Sequence, residues 1–186
     1  IDPEKNDDYL RSLLLKAKEG GVLPMWELAG NYTGTMIGYH AASLFADAVA
    51  KGQNTFDVNE ALRAAVRAAE YDTTGIACPP KVLPHLMPAA KYYKNTIGYI
   101  PSDKDNESVA KALEYAYDDW CIYQLGKALG KVEIVDILIL HDDVVDGGKV
   151  ERIIDILQEV KYEYLDVVLV FESGAHTLPP FARFLF

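Results

Sequence analysis

Apolar residues recur at three- and four-residue spacing through the first 131 positions, and glycines, prolines and capping residues cut that rhythm into helices. Asp7 to Glu19 carries Leu10, Leu13, Leu14 and Ala17 on one side, and Gly20-Gly21 stops it. In VLPMWELAGNYTGTMIGYHAASLFADAVAKG, Pro24 and the Gly30-Asn31 pair place Trp26 and Glu27 on a loop or broken turn ahead of a helix. From about Thr33 the positions Met36, Ile37, His40, Ala41, Leu44, Phe45 and Ala48 predict that helix, ended by Gly52. Its small residues (Gly34, Gly38, Ala41, Ala42, Ala46) imply close packing against neighbours. Asp57 followed by Glu60 is a capping-box spacing and predicts a helix to Ala69, with Leu62, Ala65, Val66 and Ala69 buried.

Residues 71–105 form a long connection containing Pro79, Pro80, Pro84, Pro88 and Pro101, in which only Leu86 to Tyr93 offers a helical turn. A connection this long is a functional loop or a surface clamp. The strongest helix follows, Ser108 to Lys131. Val109, Ala112, Leu113, Ala116, Trp120, Tyr123 and Ala128 predict its buried stripe; Asp105, Asn106 or Ser108 can cap it, and Gly130 suits the left-handed residue at its end. The span 7–131 therefore reads as all-α, with no alternating strand pattern and no internal repeat.

The other face of this helix carries Glu114, Asp118 and Asp119 among Tyr115, Tyr117 and Trp120. Like charges four apart repel, by more where water is excluded, so helix formation alone does not call for them. Acids interleaved with aromatic rings suit a sugar, whose hydroxyls bind carboxylates and whose apolar face lies on a ring. A solvated acidic face beside a core stripe is the other reading.

Composition narrows the partners. The 186 residues carry a net charge of -10, half are hydrophobic and a quarter charged, which allows one domain with a sizeable core. The negative charge argues against a nucleic-acid backbone or an anionic membrane as partner. No apolar run reaches the ~18 residues of a membrane span. Cys78 and Cys121 make no metal spacing, and each reads as a small buried hydrophobe, with a single bridge between them left open. The chain starts at Ile1 with neither Met nor leader, which reads as a piece of a longer protein.

Three blocks in order, PMWELAGNYTGTMIGYHAASLFADAVAKG, FDVNEALRAA and LPHLMPAAKYYKNTIGYIPSDKDNESVAKALEYAYDDWCIYQLGKALGK, resemble glycoside hydrolase family 92, the calcium-dependent exo-acting α-mannosidases. The resemblance runs from about Leu23 to Lys131. It implies a mainly α fold, part of an (α/α)6 toroid of helical hairpins with long loops, whose inner helix ends form a sugar pocket. It also implies inverting hydrolysis of terminal α-1,2-linked mannose from glycans, with a calcium ion engaging sugar hydroxyls, in a periplasmic or secreted enzyme. Inverting enzymes place an acid and a base carboxyl ~6.5–9.5 Å apart. The segments that carry acid, base and calcium ligands in the family, such as EGNAWQY, do not occur in this sequence, so the chain is expected to be inactive by itself, with no catalytic residue of its own. Carried over onto matching positions, the resemblance makes Trp26, Glu27, Asn31 and His40 substrate-binding residues of the pocket wall. Glu114, Asp118 and Asp119 take supporting or structural places behind them. The bland alternatives are a core contact for Trp26, a helix-end ion pair for Glu27 and a satisfied core histidine for His40. His85, between prolines, reads as structural.

From Val132 the character changes to a tail of uncertain α/β character, read as an unrelated extension over 132–186 and distinct from the helical domain of 1–131. Lys149 to Val160 reads as an amphipathic helix and LDVVLVF, 165–171, as a buried strand. Asp142, Asp143 and Asp146 match the DDxxD spacing and resemble the first aspartate-rich motif of isoprenyl diphosphate synthases, which implies magnesium bridging a diphosphate. No second such motif is present. A third possibility is a non-catalytic helical carbohydrate-binding or interaction module. An open part of a toroid would expose apolar helix faces, and self-association follows as an expectation.

Overall fold

The computed structural model describes residues 2–28, 31–33 and 35–131, with Asn31 and Tyr32 described through their backbone alone. The expected tail elements and Asp142, Asp143 and Asp146 lie outside the described residues. Six helices and one two-residue hairpin follow in the order α1 (Pro3–Gly20), β1 (Glu27–Leu28), β2 (Asn31–Tyr32), α2 (Ala41–Ala50), α3 (Val58–Ala69), α4 (Leu83–Leu86), α5 (Ala89–Ile97) and α6 (Ser108–Ala128). The fold is mainly α, in helices joined by long loops.

Local chemistry accounts for most boundaries. The Asp2 side chain accepts from the Lys5 amide and Pro3 begins α1, which Gly21 closes at φ 84° with its amide on the Ala17 carbonyl. Asp57 caps α3 by accepting from the Glu60 amide at 2.9 Å. In the proline-rich connection, Pro84 sits in the first turn of α4, where its missing donor costs nothing, and Pro88 precedes α5. The connection thus holds two helices where the sequence predicted one turn. Gly130 takes the left-handed conformation just past α6, as expected.

α6 is the central element and packs against α2, α3 and α5. The core gathers Leu10 of α1, Phe45 of α2, Leu62 of α3 and Ile122 and Leu125 of α6, each essentially sealed from water and worth about 1.5–3 kcal/mol of burial. Alanines separate them: Ala42 and Ala48 of α2, and Ala61, Ala65, Ala68 and Ala69 of α3, let the helix backbones approach closely. Phe45 meets Phe56 with ring centroids 5.7 Å apart. The last carbonyls of α3, which have no partner within the helix, are capped from α5: Lys91 Nζ donates to Ala68 at 2.5 Å and Asn95 Nδ2 to Ala69 at 3.2 Å.

Three sequence expectations are corrected. The buried face of α6 is Tyr115, Asp118, Asp119, Cys121, Ile122, Leu125 and Gly126, whereas Ala112, Ala116, Trp120 and Ala128 are exposed. The predicted stripe is rotated away from the core because two acids occupy inward positions that a periodicity argument assigns to apolar residues. The helix predicted from Thr33 begins at Ala41, since Gly38 at φ 86° breaks the helical path before it. The segment before it contains a short antiparallel hairpin, Glu27 opposite Tyr32 and Leu28 opposite Asn31, where no strand was expected. Both cysteines are free; Cys121 is buried and Cys78 half-buried.

Candidate functional site

The site grows from a helix that buries carboxylates. Asp118 and Asp119 point into the protein from the middle of α6, where an ionised carboxylate is stable only if donors surround it. Asp118 is fully buried, and both its oxygens are engaged: Oδ2 accepts from the Tyr39 amide at 2.6 Å and Oδ1 faces His40 Nδ1 at 2.8 Å. Asp119 accepts from the Tyr39 hydroxyl through Oδ1 and from Lys94 Nζ at 2.7 Å through Oδ2. Lys94 also donates to the Tyr39 hydroxyl at 3.0 Å. Tyr39 stacks on Tyr115 with centroids 5.2 Å apart, and the Lys91 and Lys94 ammoniums lie 5.1 and 5.5 Å from the Tyr39 ring centre.

Burial raises the carboxyls of Asp118 and Asp119 above the usual range. The Tyr39 amide and His40 pull Asp118 back, and Lys94 pulls Asp119 back. Burial first, and then Asp119, pushes the Tyr39 hydroxyl well above its ordinary value. Burial together with the neighbouring Lys94 charge pulls Lys91 down to about 7. Asp118 and Asp119 are therefore not a solvated face. They are a buried polar joint that ties the loop before α2, α5 and α6 together.

His40 is the outward end of this joint. Its ring is half-exposed, with Nδ1 on Asp118 and Nε2 3.2 Å from Glu114 Oε2, itself half-exposed. It is thus neither a core histidine nor an unattached ligand: Asp118 fixes the ring, and one edge of it remains open to solvent beside Glu114. Trp26 is exposed on the hairpin, its carbonyl accepting from the Thr33 amide at 3.2 Å and hydroxyl at 2.9 Å. Glu27 pairs with Lys16 of α1, which anchors the hairpin to the first helix. Asn31 joins the hairpin through its backbone.

A cavity of about 280 Å³ opens between the segment before α2, the proline-rich connection and the start of α6. Thr35, Ile37, His85, Glu107, Lys111 and Tyr115 are among its lining residues. His85, expected to be structural, is exposed and faces this space. Lys111 is held by Asp105 at 2.7 Å, so its charge is already matched. None of Trp26, Glu27 or His40 lines the cavity. Lys94, which the sequence reading did not single out, is the base that balances Asp119; its only sequence signal was a lysine in the short helix ahead of α6.

Calcium requires six to eight oxygen ligands. The oxygens of Asp118 and Asp119 are spent on protein donors, and among the described residues no three His, Cys, Asp or Glu side chains are placed to share a metal. The described residues do not fit the ion. Among them, no helix is long and apolar enough to cross a membrane.

The described residues are thus helices joined by long loops, with a buried acid joint that opens on a half-exposed histidine and carboxylate. Residues 1–140 match the model of the glycosyl hydrolase family 92 catalytic domain, and the chain belongs to that family. The match begins before the three quoted blocks and continues past Lys131. A family GH92 α-mannosidase from Bacteroides thetaiotaomicron, solved in complex with mannoimidazole, is similar at 35% identity and a TM-score of 0.59 over 75% of this chain. A family GH92 inverting mannosidase from the same organism is similar at 34% identity and a TM-score of 0.61 over 73% of this chain. In both cases the chain spans 17% of the solved enzyme's length. No curated protein matches the chain.

Proposed function

We propose that this chain is part of the catalytic domain of an inverting exo-α-mannosidase that removes terminal α-1,2-linked mannose from glycans in a periplasmic or secreted setting. The observation that carries the reading is the 35% identity, over three-quarters of the chain, to a mannosidase solved with mannoimidazole, a ligand named for mannose. In this reading Trp26 and Glu27 on the hairpin, Asn31 beside them and His40 at the start of α2 belong to the wall of the mannose site. Trp26 offers an exposed ring to a pyranose face, and Glu27 a carboxylate to hydroxyls. Asp118 orients His40, and Glu114 completes the outward edge.

The chain by itself is proposed to be inactive. Inverting hydrolysis needs one carboxyl to protonate the leaving oxygen and another to activate water. Asp118 and Asp119 are committed to buried donors, and Glu27 is in an ion pair with Lys16. The calcium implied by the family resemblance would take its ligands from outside the described residues.

The test is mannose release from α-1,2-linked mannobiose by the folded chain, with calcium and then with a chelator, alongside a mannose-binding titration of wild type and Trp26→Ala. The expected result is no release, with weak saturable binding that Trp26→Ala abolishes. Calcium-dependent release would overturn the inactivity. Binding that is absent, or indifferent to Trp26, would remove the pocket-wall role.

A further inference from the structure

Asp118 does more than hold His40 in place: it decides which ring nitrogen carries the proton. Asp118 is sealed from water, and its Oδ2 already accepts from the Tyr39 amide. The ring nitrogen 2.8 Å from its Oδ1 is Nδ1. An ionised carboxylate only accepts, so Nδ1 is the donor, and a neutral ring keeps its lone pair on Nε2. Gly38 lies so close that a Cβ there would collide with the imidazole, so the ring is packed on that side.

Nε2 faces Glu114 Oε2 at 3.2 Å, and both side chains are half-exposed. With a neutral ring these are two acceptors at hydrogen-bonding distance with no proton between them. Two things complete such a pair. One is a proton on Nε2, which makes the ring an imidazolium and closes it onto Glu114. The other is a ligand that brings its own donors. Hydroxyls on neighbouring carbons of a pyranose are spaced much like the two acceptors, and each can donate its O–H. The titratable groups on the ring are Asp118 and Glu114, both from α6. Lys91 and the Lys94–Asp119 pair touch its neighbour Tyr39.

We propose that His40 Nε2 and Glu114 Oε2 together accept two adjacent hydroxyls of the sugar, which makes Glu114 a substrate-binding residue, and that a proton on Nε2 competes with the sugar for this pair. This role rests on the reading of His40 as part of the mannose wall. It gives Glu114 direct contact with the ligand, where the family resemblance implied only a supporting place. Recognition is then confined to the pH range in which the ring is neutral.

The experiment is a mannose titration of the full chain, followed by heteronuclear NMR of the His40 ring nitrogens at about pH 5 and about pH 8, the range over which histidines change charge. Wild type, Glu114→Gln and Trp26→Ala are compared, with circular dichroism as the folding control. Unliganded wild type at the higher pH is expected to show a protonated Nδ1 and a bare Nε2. Mannose should shift the Nε2 signal, and binding should weaken about fivefold or more at the lower pH. A glutamine amide can donate to Nε2 and close the pair as a proton does. Glu114→Gln is therefore expected to bind about fivefold or more weakly at the higher pH and to lose most of the pH dependence. Glu114 is half-exposed, so this exchange leaves the core intact. Binding that Trp26→Ala abolishes and Glu114→Gln leaves unchanged overturns the pair and leaves the pocket-wall reading standing. A pH dependence that persists in Glu114→Gln assigns the proton to Asp118 and overturns the competition. Folded wild type that binds no mannose also overturns the pair, and the mannobiose assay decides the glycosidase reading independently.

Discussion

Gly38 and Asp118 lie against one another across the joint between the loop before α2 and the middle of α6. A Cβ added to Gly38 would sit 3.0 Å from Asp118 Oδ2 and 2.5 Å from the His40 ring, and Gly38 already holds φ 86°. Only a residue without a side chain lets the Tyr39 amide reach the carboxylate and His40 lie over it. Gly38→Ala is expected to destabilise the chain by about 2 kcal/mol or more, from the left-handed backbone and the displaced ring together. Urea unfolding measures the loss, and a changed His40 ring resonance would locate it. An unchanged midpoint would mean that the joint is slack.

Lys94 is the counter-charge of a carboxylate that is 5% exposed. Lys94→Met should cost about 3–5 kcal/mol because it leaves Asp119 buried without its cation. The double variant Lys94→Met with Asp119→Leu should recover much of that loss. Equal destabilisation of the single and double variants would show that Asp119 is neutral in the folded protein.

Lys91, 1% exposed and donating to the Ala68 carbonyl of α3 and the Leu86 carbonyl of α4, is held down to about 7, against a free lysine near 10.4. Between those values the unfolded chain binds the proton and the folded chain does not, so folding gains stability as pH rises. Wild type should therefore gain on Lys91→Met from pH 7 to pH 10, by up to roughly 1.4 kcal/mol per pH unit. The difference is expected to be flat below pH 6. Denaturant midpoints of both proteins at pH 6, 8 and 10 give the comparison, and a difference that falls with pH would reverse the assignment.

The outward side of α6 carries Tyr117 and Trp120, and Leu44 lies on α2, which packs against α6. Trp120 is 49% exposed and Leu44 51%. Large apolar side chains exposed on two helices that pack together favour association. The chain is expected to self-associate with rising concentration in sedimentation velocity, and Trp120→Gln with Leu44→Gln to shift it toward monomer. A monodisperse wild-type monomer at high concentration removes the expectation.

Much of this protein was determined by local chemistry and legible in the chain. The Asp57–Glu60 spacing announced α3, Gly21 and Gly130 marked two helix ends, and three ordered blocks carried the family. Each depends on interactions within a few residues, which sequence spacing encodes directly. The direction in which α6 faces was decided by the tertiary structure alone. Its apolar residues lie on more than one side, so periodicity favoured Ala112, Ala116 and Trp120 as the core stripe. What turns Asp118 and Asp119 inward is a set of donors (the Tyr39 amide and hydroxyl, His40 and Lys94) brought from 25 to 80 residues away. A buried carboxylate is unfavourable until its partners arrive, and no local window of sequence contains them.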